Sequence, residues 1–261
     1  VLLSLHRGII YGPVNSRRLG PSLGINLMPG DYKLCSFNCV YCHYGWTKKH
    51  TLDFAESLRD LPTVAEVVQA VEPAAASPLA FDFFTFSGNG EPTLHPNFPQ
   101  VVDEVVRLRD RHRPAAKVAL LSNSTGLFRE EVRACISKID LPVFKLDAGS
   151  EETFQAINRP APGIRLARVV DLLASLEDIC IQTVLVEGRP SNVADYELEA
   201  YFHNVRRIKP REVHIYSIDR PVPKADIFLV SPEWLEEIAR RGEGETEVPI
   251  RAFSVRHRRN P

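Results

Sequence analysis

Six times between residues 22 and 218 a short run of β-branched, aromatic or aliphatic residues gives way to a helical pattern, and this alternation restricts the fold more than any other feature. The strand-like runs fall at 22–28, 80–86, 116–122, 142–147, 179–186 and 212–218. Helices are expected at 63–72, 97–111, 128–137, 164–176 and 194–207. A last helix begins at Ser231-Pro232-Glu233, an N-cap followed by proline at the first helical position. Thr63 with Glu66 three residues later forms a capping box. Strands separated by helices pair in parallel through right-handed crossovers. The expectation is an α/β domain with one parallel sheet, either open and doubly wound or rolled towards a barrel. In both, ligands gather at the C-terminal ends of the strands.

After the first strand and a Pro29-Gly30-Asp31 turn comes Cys35-Ser-Phe-Asn-Cys39-Val-Tyr-Cys42. Thiolates are the preferred ligands of iron-sulfur clusters, whose usual protein complement is four cysteines; a local set of three leaves one iron without a protein ligand. Two other readings use the same residues. Three cysteines with His43 would make a Cys3His zinc site, although zinc motifs usually come as two separated ligand pairs. Buried structural thiols are the other, but core packing calls for no such local set. Cys135 and Cys180 stand apart in apolar settings and read as core.

The spacing, with Tyr41 directly before the last cysteine, resembles the signature of the radical S-adenosylmethionine (radical SAM) superfamily. The phrase from Tyr11 through Gly12-Pro13 to Asn26 resembles a subgroup of small proteins related to the tRNA wybutosine synthases, and the likeness spans most of residues 9–223. It implies a partial (β/α)6 TIM-like barrel and a 4Fe-4S cluster on Cys35, Cys39 and Cys42. It further implies SAM chelated at the open iron and cleaved to methionine and a 5'-deoxyadenosyl radical. The electron would come from a one-electron reductant such as flavodoxin or ferredoxin. Wybutosine synthases carry an additional cysteine set, which this chain lacks, so an RNA base and a peptide both stand as substrate classes. From another class, a non-catalytic iron-sulfur or zinc protein stands as the rival. No catalytic acid or base is assigned.

The same resemblance assigns cofactor contacts, each with a bland counterpart. Gly88-Asn89-Gly90-Glu91, after the second strand, resembles the glycine-rich motif that binds the amino group of SAM, with Asn89 where glycine is commoner. Glycines admit close approach and a carboxylate suits an ammonium, but a tight turn needs glycine too. Ser122, Asn123 and Ser124 would meet the carboxylate or ribose of SAM; a capped turn uses the same residues. Lys145 and Asp147 share one strand face, as an ion pair or as a contact to SAM or substrate. Val186 would suit the adenine face, and the backbone of Tyr216, Ser217 and Ile218 its edge. Asp219 and Arg220 would stand beside substrate. Arg159, in Asn158-Arg159-Pro160, is either an anion fork or a surface residue.

A formal net charge of -1 excludes a globally basic nucleic-acid binder. No apolar run reaches the length of a membrane span, and the opening Val1-Leu-Leu-Ser-Leu-His-Arg7 is too short for a signal peptide. With three of five cysteines in eight residues, a cytoplasmic, reducing setting is expected. The expected division is a barrel domain over 1–241 and a charged tail over 242–261. The tail would be a solvated end or a basic contribution to RNA binding.

Overall fold

The computed structural model describes residues 1–254. All six expected strands are present: β2 (Gly20–Ile25), β5 (Phe83–Phe86), β6 (Lys117–Ser122), β7 (Leu141–Lys145), β8 (Cys180–Gly188) and β9 (Glu212–Ser217). They pair in parallel in that order. The helical crossovers are α1 (Val64–Ala76), α2 (Phe98–His112), α3 (Glu130–Cys135), α4 and α5 (Glu151–Ile157 and Leu166–Ala174), α6 (Asp195–Ile208) and α7 (Pro232–Thr246). Six β/α units are thus complete, and the molecule is a partial TIM-like barrel.

Among the described residues three further strands extend this sheet. β1 (Ile10–Ser16) folds back antiparallel on β2, so the segment expected to be a short opening and turn is one arm of a hairpin. β10 (Ile227–Leu229) pairs antiparallel with the end of β8. β11 (Ile250–Phe253) adds to β9 in parallel. Residues 242–246 complete α7 and 250–253 are β11, so this part of the expected tail belongs to the barrel wall. The remaining basic residues of that tail, from Arg256 on, lie outside the described residues. Two short strands, β3 (Leu34–Cys35) and β4 (Lys49–His50), pair with each other and bracket the cysteine loop.

Strand alternation divides the sheet's two faces. Leu23, Ile25, Phe84, Phe86, Leu120, Phe144 and Ile215 are fully buried on the face that packs against the helices. Each such side chain is worth about 1.5–3 kcal/mol relative to exposure. Helix α2 meets them with Phe98, Val101, Val102, Val105 and Leu108, and α5 with Leu166, Val169, Val170 and Leu173, the i, i+3, i+4 stripe of an amphipathic helix. The opposite face carries Ser22, Gly24, Thr85, Ser87, Lys145 and Gln182, small or polar side chains that leave the barrel interior open.

Candidate active site

That interior is a cavity of about 620 Å3, and Cys35, Cys39 and Cys42 all line it. The cysteine loop is held by backbone pairing from two sides. Glu91 N–H donates to Leu34 O at 3.2 Å. On the other flank Asn38 N–H donates to Asn158 O at 3.0 Å, Val40 N–H to Ile157 O at 3.0 Å and Ala161 N–H to Ser36 O at 2.8 Å. The segment 157–161, from the last residue of α4 onward, is therefore a scaffold for the thiols. All five cysteines are free; Cys35 and Cys39 are buried and Cys42 partly so.

The glycine turn after β5 makes this docking sterically feasible. Gly90 has φ +151°, and a Cβ there would fall inside the carbonyl group of Leu34. A Cβ on Gly88 would lie 2.6 Å from Asn26 Oδ1. Gly88, Gly90 and Glu91 line the cavity; Asn89 does not. Its amide donates to His6 O at 2.7 Å and Pro29 O at 2.8 Å, and accepts from His6 N–H at 2.8 Å. The Asn89 side chain thus braces the N-terminal segment.

Glu91 is 1% exposed, and no cation pairs with it among the described residues. Oε1 accepts from Thr93 Oγ1 at 2.5 Å, Thr93 N–H at 3.1 Å and Ser122 Oγ at 2.8 Å, and Oε2 from Asn123 N–H at 2.6 Å. Burial pushes its pKa up, and these donors offset only part of the rise. A carboxylate on a cavity wall, with one oxygen accepting a single bond and no cation partner, fits an ammonium ligand.

The polar strand ends divide between wall and support. Ser122 and Asn123 line the cavity. Asn123 Nδ2 donates to Ser36 Oγ at 2.8 Å and to Cys35 Sγ at 3.5 Å, so it fixes a thiol. Ser124, at φ +79°, instead donates its hydroxyl to Lys145 O at 2.9 Å behind the wall. Lys145 lines the cavity and lies 3.7 Å from Asp147. Burial pulls the Lys145 ammonium down, but Asp147, Tyr216 and Cys39 together outweigh it and the net shift is upward. Asp147 lies beneath, accepting from Tyr41 Oη, from Asn158 Nδ2 at 2.6 Å and from Val184 N–H at 2.8 Å. Tyr41 lines the cavity, and burial with Asp147 beside it drives its phenol far up.

At the far wall Tyr216, Ser217 and Ile218 line the cavity. Ser217 Oγ donates to Leu185 O at 2.6 Å and accepts from Val230 N–H at 2.9 Å. Val186 does not line it; Val184, two residues earlier on the same strand face, does. Arg159 lies outside, exposed, with its guanidinium 5.1 Å from the Trp46 ring. Its neighbour Asn158 is the site residue, with Nδ2 3.6 Å from Cys39 Sγ.

The hairpin contributes residues that the sequence reading passed over. Arg18 places its guanidinium 4.4 Å over the Tyr216 ring and donates to Gln182 Oε1. Arg17 pairs with Asp219 at 2.7 Å, and His43 Nε2 stands 3.8 Å from the same carboxylate. Arg220 also lines this mouth. Gly24 accommodates the Tyr11 ring, whose atoms would overlap any Cβ there.

A cavity with three thiols on one wall and an ammonium-ready carboxylate on the next matches the superfamily that the cysteine spacing resembles. The family model of the radical SAM superfamily matches residues 31–190. The chain belongs to the radical SAM superfamily. Enzymes of this superfamily bind a 4Fe-4S cluster and SAM, and this chain is such an enzyme by family. A UPF0026 protein of Methanocaldococcus jannaschii is 30% identical over 234 residues, 89% of this chain and 69% of that protein. A protein named GTPase Obg of Brachyspira hyodysenteriae is 28% identical over 249 residues, 94% of this chain. This chain spans only 35% of that longer protein. Nowhere does it carry the G-x4-G-K-S/T phosphate loop of GTPases. Among solved structures, a radical SAM methyltransferase from Sphaerobacter thermophilus superposes with TM-score 0.59 at 17% identity, covering 90% of this chain and 67% of that one. SuiB of Streptococcus suis, bound to S-adenosylmethionine, superposes with TM-score 0.62 at 11% identity, covering 98% and 52%.

The donor set fits a radical SAM cluster better than a zinc ion. Zinc motifs usually come as two separated ligand pairs, whereas Cys35, Cys39 and Cys42 form one local set. The three thiols instead border an open volume, and His43 turns to Asp219. Among the described residues no helix is long and apolar enough to cross a membrane.

Proposed function

We propose that this chain is the catalytic core of a radical SAM enzyme that reductively cleaves SAM and turns the resulting radical on a substrate still to be identified. The reading is carried by one observation: Cys35, Cys39, Cys42, Glu91 and the ends of β6, β7 and β9 line a single cavity. When bound, a 4Fe-4S cluster supplies the electron that breaks a carbon–sulfur bond of SAM, giving methionine and the 5'-deoxyadenosyl radical. The chain's residues do the positioning. Cys35, Cys39 and Cys42 are the ligands, with Asn123 and Asn158 orienting two of the thiols. Glu91 receives the amino group of SAM, and the walls at Ser122, Asn123, Lys145, Val184 and Tyr216–Ile218 receive the rest. Substrate enters past Arg17, Arg18 and Arg220. The electron donor is a cytoplasmic one-electron carrier of the flavodoxin or ferredoxin type. We assign the described residues to one domain, extended from the expected 1–241 through β11. An electron carrier without catalysis would have no use for a cavity of about 620 Å3 beside its thiols.

The test is anaerobic reconstitution with iron and sulfide, metal analysis, then incubation with SAM and a flavodoxin reducing system. Appearance of 5'-deoxyadenosine and methionine supports the reading; stoichiometric zinc in place of iron defeats it.

A further inference from the structure

Lys33 stands two residues before the first thiol and is 5% exposed. Its ammonium donates to Gly45 O at 3.0 Å, and Gly45 N–H in turn donates to Cys42 O at 2.9 Å, so the charge sits under the turn that closes the cysteine motif. Its backbone is fixed as well, since Lys33 O accepts from Lys49 N–H at 3.1 Å. Lys33 lines the same cavity as Cys35, Cys39 and Cys42, its ammonium has a carbonyl as partner, and among the described residues no carboxylate forms an ion pair with it. Lys145, the other buried lysine of the cavity, has Asp147 at 3.7 Å. Burying an ammonium without a counter-charge is strongly unfavourable. The negative charge that balances Lys33 must therefore come from the thiolates and from what they hold.

We propose that Lys33 is the built-in counter-charge of the cluster and sets its reduction potential. The inference rests on the cluster reading above. An oxidised 4Fe-4S cluster on three thiolates is already an anion, and one electron from the flavodoxin-type donor makes it more negative. A fixed cation within the same low-dielectric shell stabilises the reduced form more than the oxidised form. Lys33 thereby eases the entry of the electron.

The experiment is a potentiometric titration of reconstituted protein in the absence of SAM, followed by the EPR signal of the reduced cluster. Wild type is compared with Lys33→Met, Lys33→Gln and Lys33→Arg. A wild-type protein without such a signal would fail the cluster reading itself and is thus distinguished from failure of this inference. Lys33→Met and Lys33→Gln are expected to move the midpoint to more negative potential by about 60 mV or more, a tenfold change in the one-electron equilibrium constant. Lys33→Arg keeps the wild-type midpoint. A Gln variant with native iron content and an unshifted midpoint overturns the proposal, because a mere strut for Gly45 O would give that result. If both neutral variants fail to hold iron while Lys33→Arg holds it, the same charge requirement is read as affinity and supports the proposal. Loss of iron from all three overturns it.

Discussion

Gly90 and the three cysteines show how far single residues could be read in advance. The cysteines announced themselves by spacing, because ligands of one cluster must be close and thiols are rarely wanted close for any other reason. Gly90 was legible as a glycine with a purpose, yet the structure gives that purpose a steric content: its φ of +151° and missing Cβ let Leu34 O reach Glu91 N–H. Gly90→Ala is expected to destabilise the fold by about 2 kcal/mol or more through strain and clash. It should also lower iron retention; denaturant unfolding and metal analysis check both. Asn158 was hidden because an asparagine before Arg-Pro looks like turn chemistry, and only the fold brings its amide to Cys39 and Asp147. Cys42→Ala is expected to abolish cluster retention, measured as iron and sulfide per chain after reconstitution. Retained iron and SAM cleavage in that variant would remove these cysteines from the site.

At the level of elements, the alternating pattern identified every central strand because each carries a fully buried apolar face against the helices. It failed at the margins for definable reasons. In β1 the Gly12-Pro13 pair, with Gly12 at φ +94°, reads as punctuation although the strand continues through it. In α7, Gly242 reads as the start of a tail, but a Cβ there would lie 2.5 Å from Ile250 and 2.6 Å from Phe202. The helix needs glycine at that point to sit close to β11 and α6. Removing residues from Val248 onward should therefore lower stability by about 3–6 kcal/mol, since Val248 and Ile250 are buried and each such side chain is worth about 1.5–3 kcal/mol. A thermal melt beside the full chain measures it. The turn after β5 makes a pH prediction. His95 Nε2 donates to Pro62 O at 2.7 Å and Nδ1 accepts from Asn97 N–H at 3.2 Å, so the neutral ring is satisfied. Burial lowers its pKa below the ordinary histidine value of 6.5, and the nearby Arg129 guanidinium adds to this, outweighing Pro62 O. The unfolded chain then binds a proton more readily than the folded one. Stability is full above about pH 6.5 and falls as pH drops through the lowered value. Unfolding free energies measured across that window should slope less in His95→Gln than in wild type.

On the scale of the molecule, sequence and structure agree that remote segments meet at one end of a parallel barrel. Strand periodicity left open whether that end is filled by side chains or hollow. Small and polar side chains on the inner face empty it, and the hairpin with Arg17 and Arg18 walls it beside Asp219 and Tyr216. These inner-face choices break no local rule of strand formation, so periodicity alone could not distinguish a filled barrel from a hollow one. The hollow carries the central claim, that thiols and SAM-binding wall act as one site. The most direct measurement is the yield of 5'-deoxyadenosine from SAM by anaerobically reconstituted protein under a one-electron reductant, alongside Cys35→Ala, Cys39→Ala and Cys42→Ala. The account predicts 5'-deoxyadenosine and methionine from wild type and none from the three variants. Iron-loaded wild type that leaves SAM intact, or variants that cleave it equally well, would contradict it.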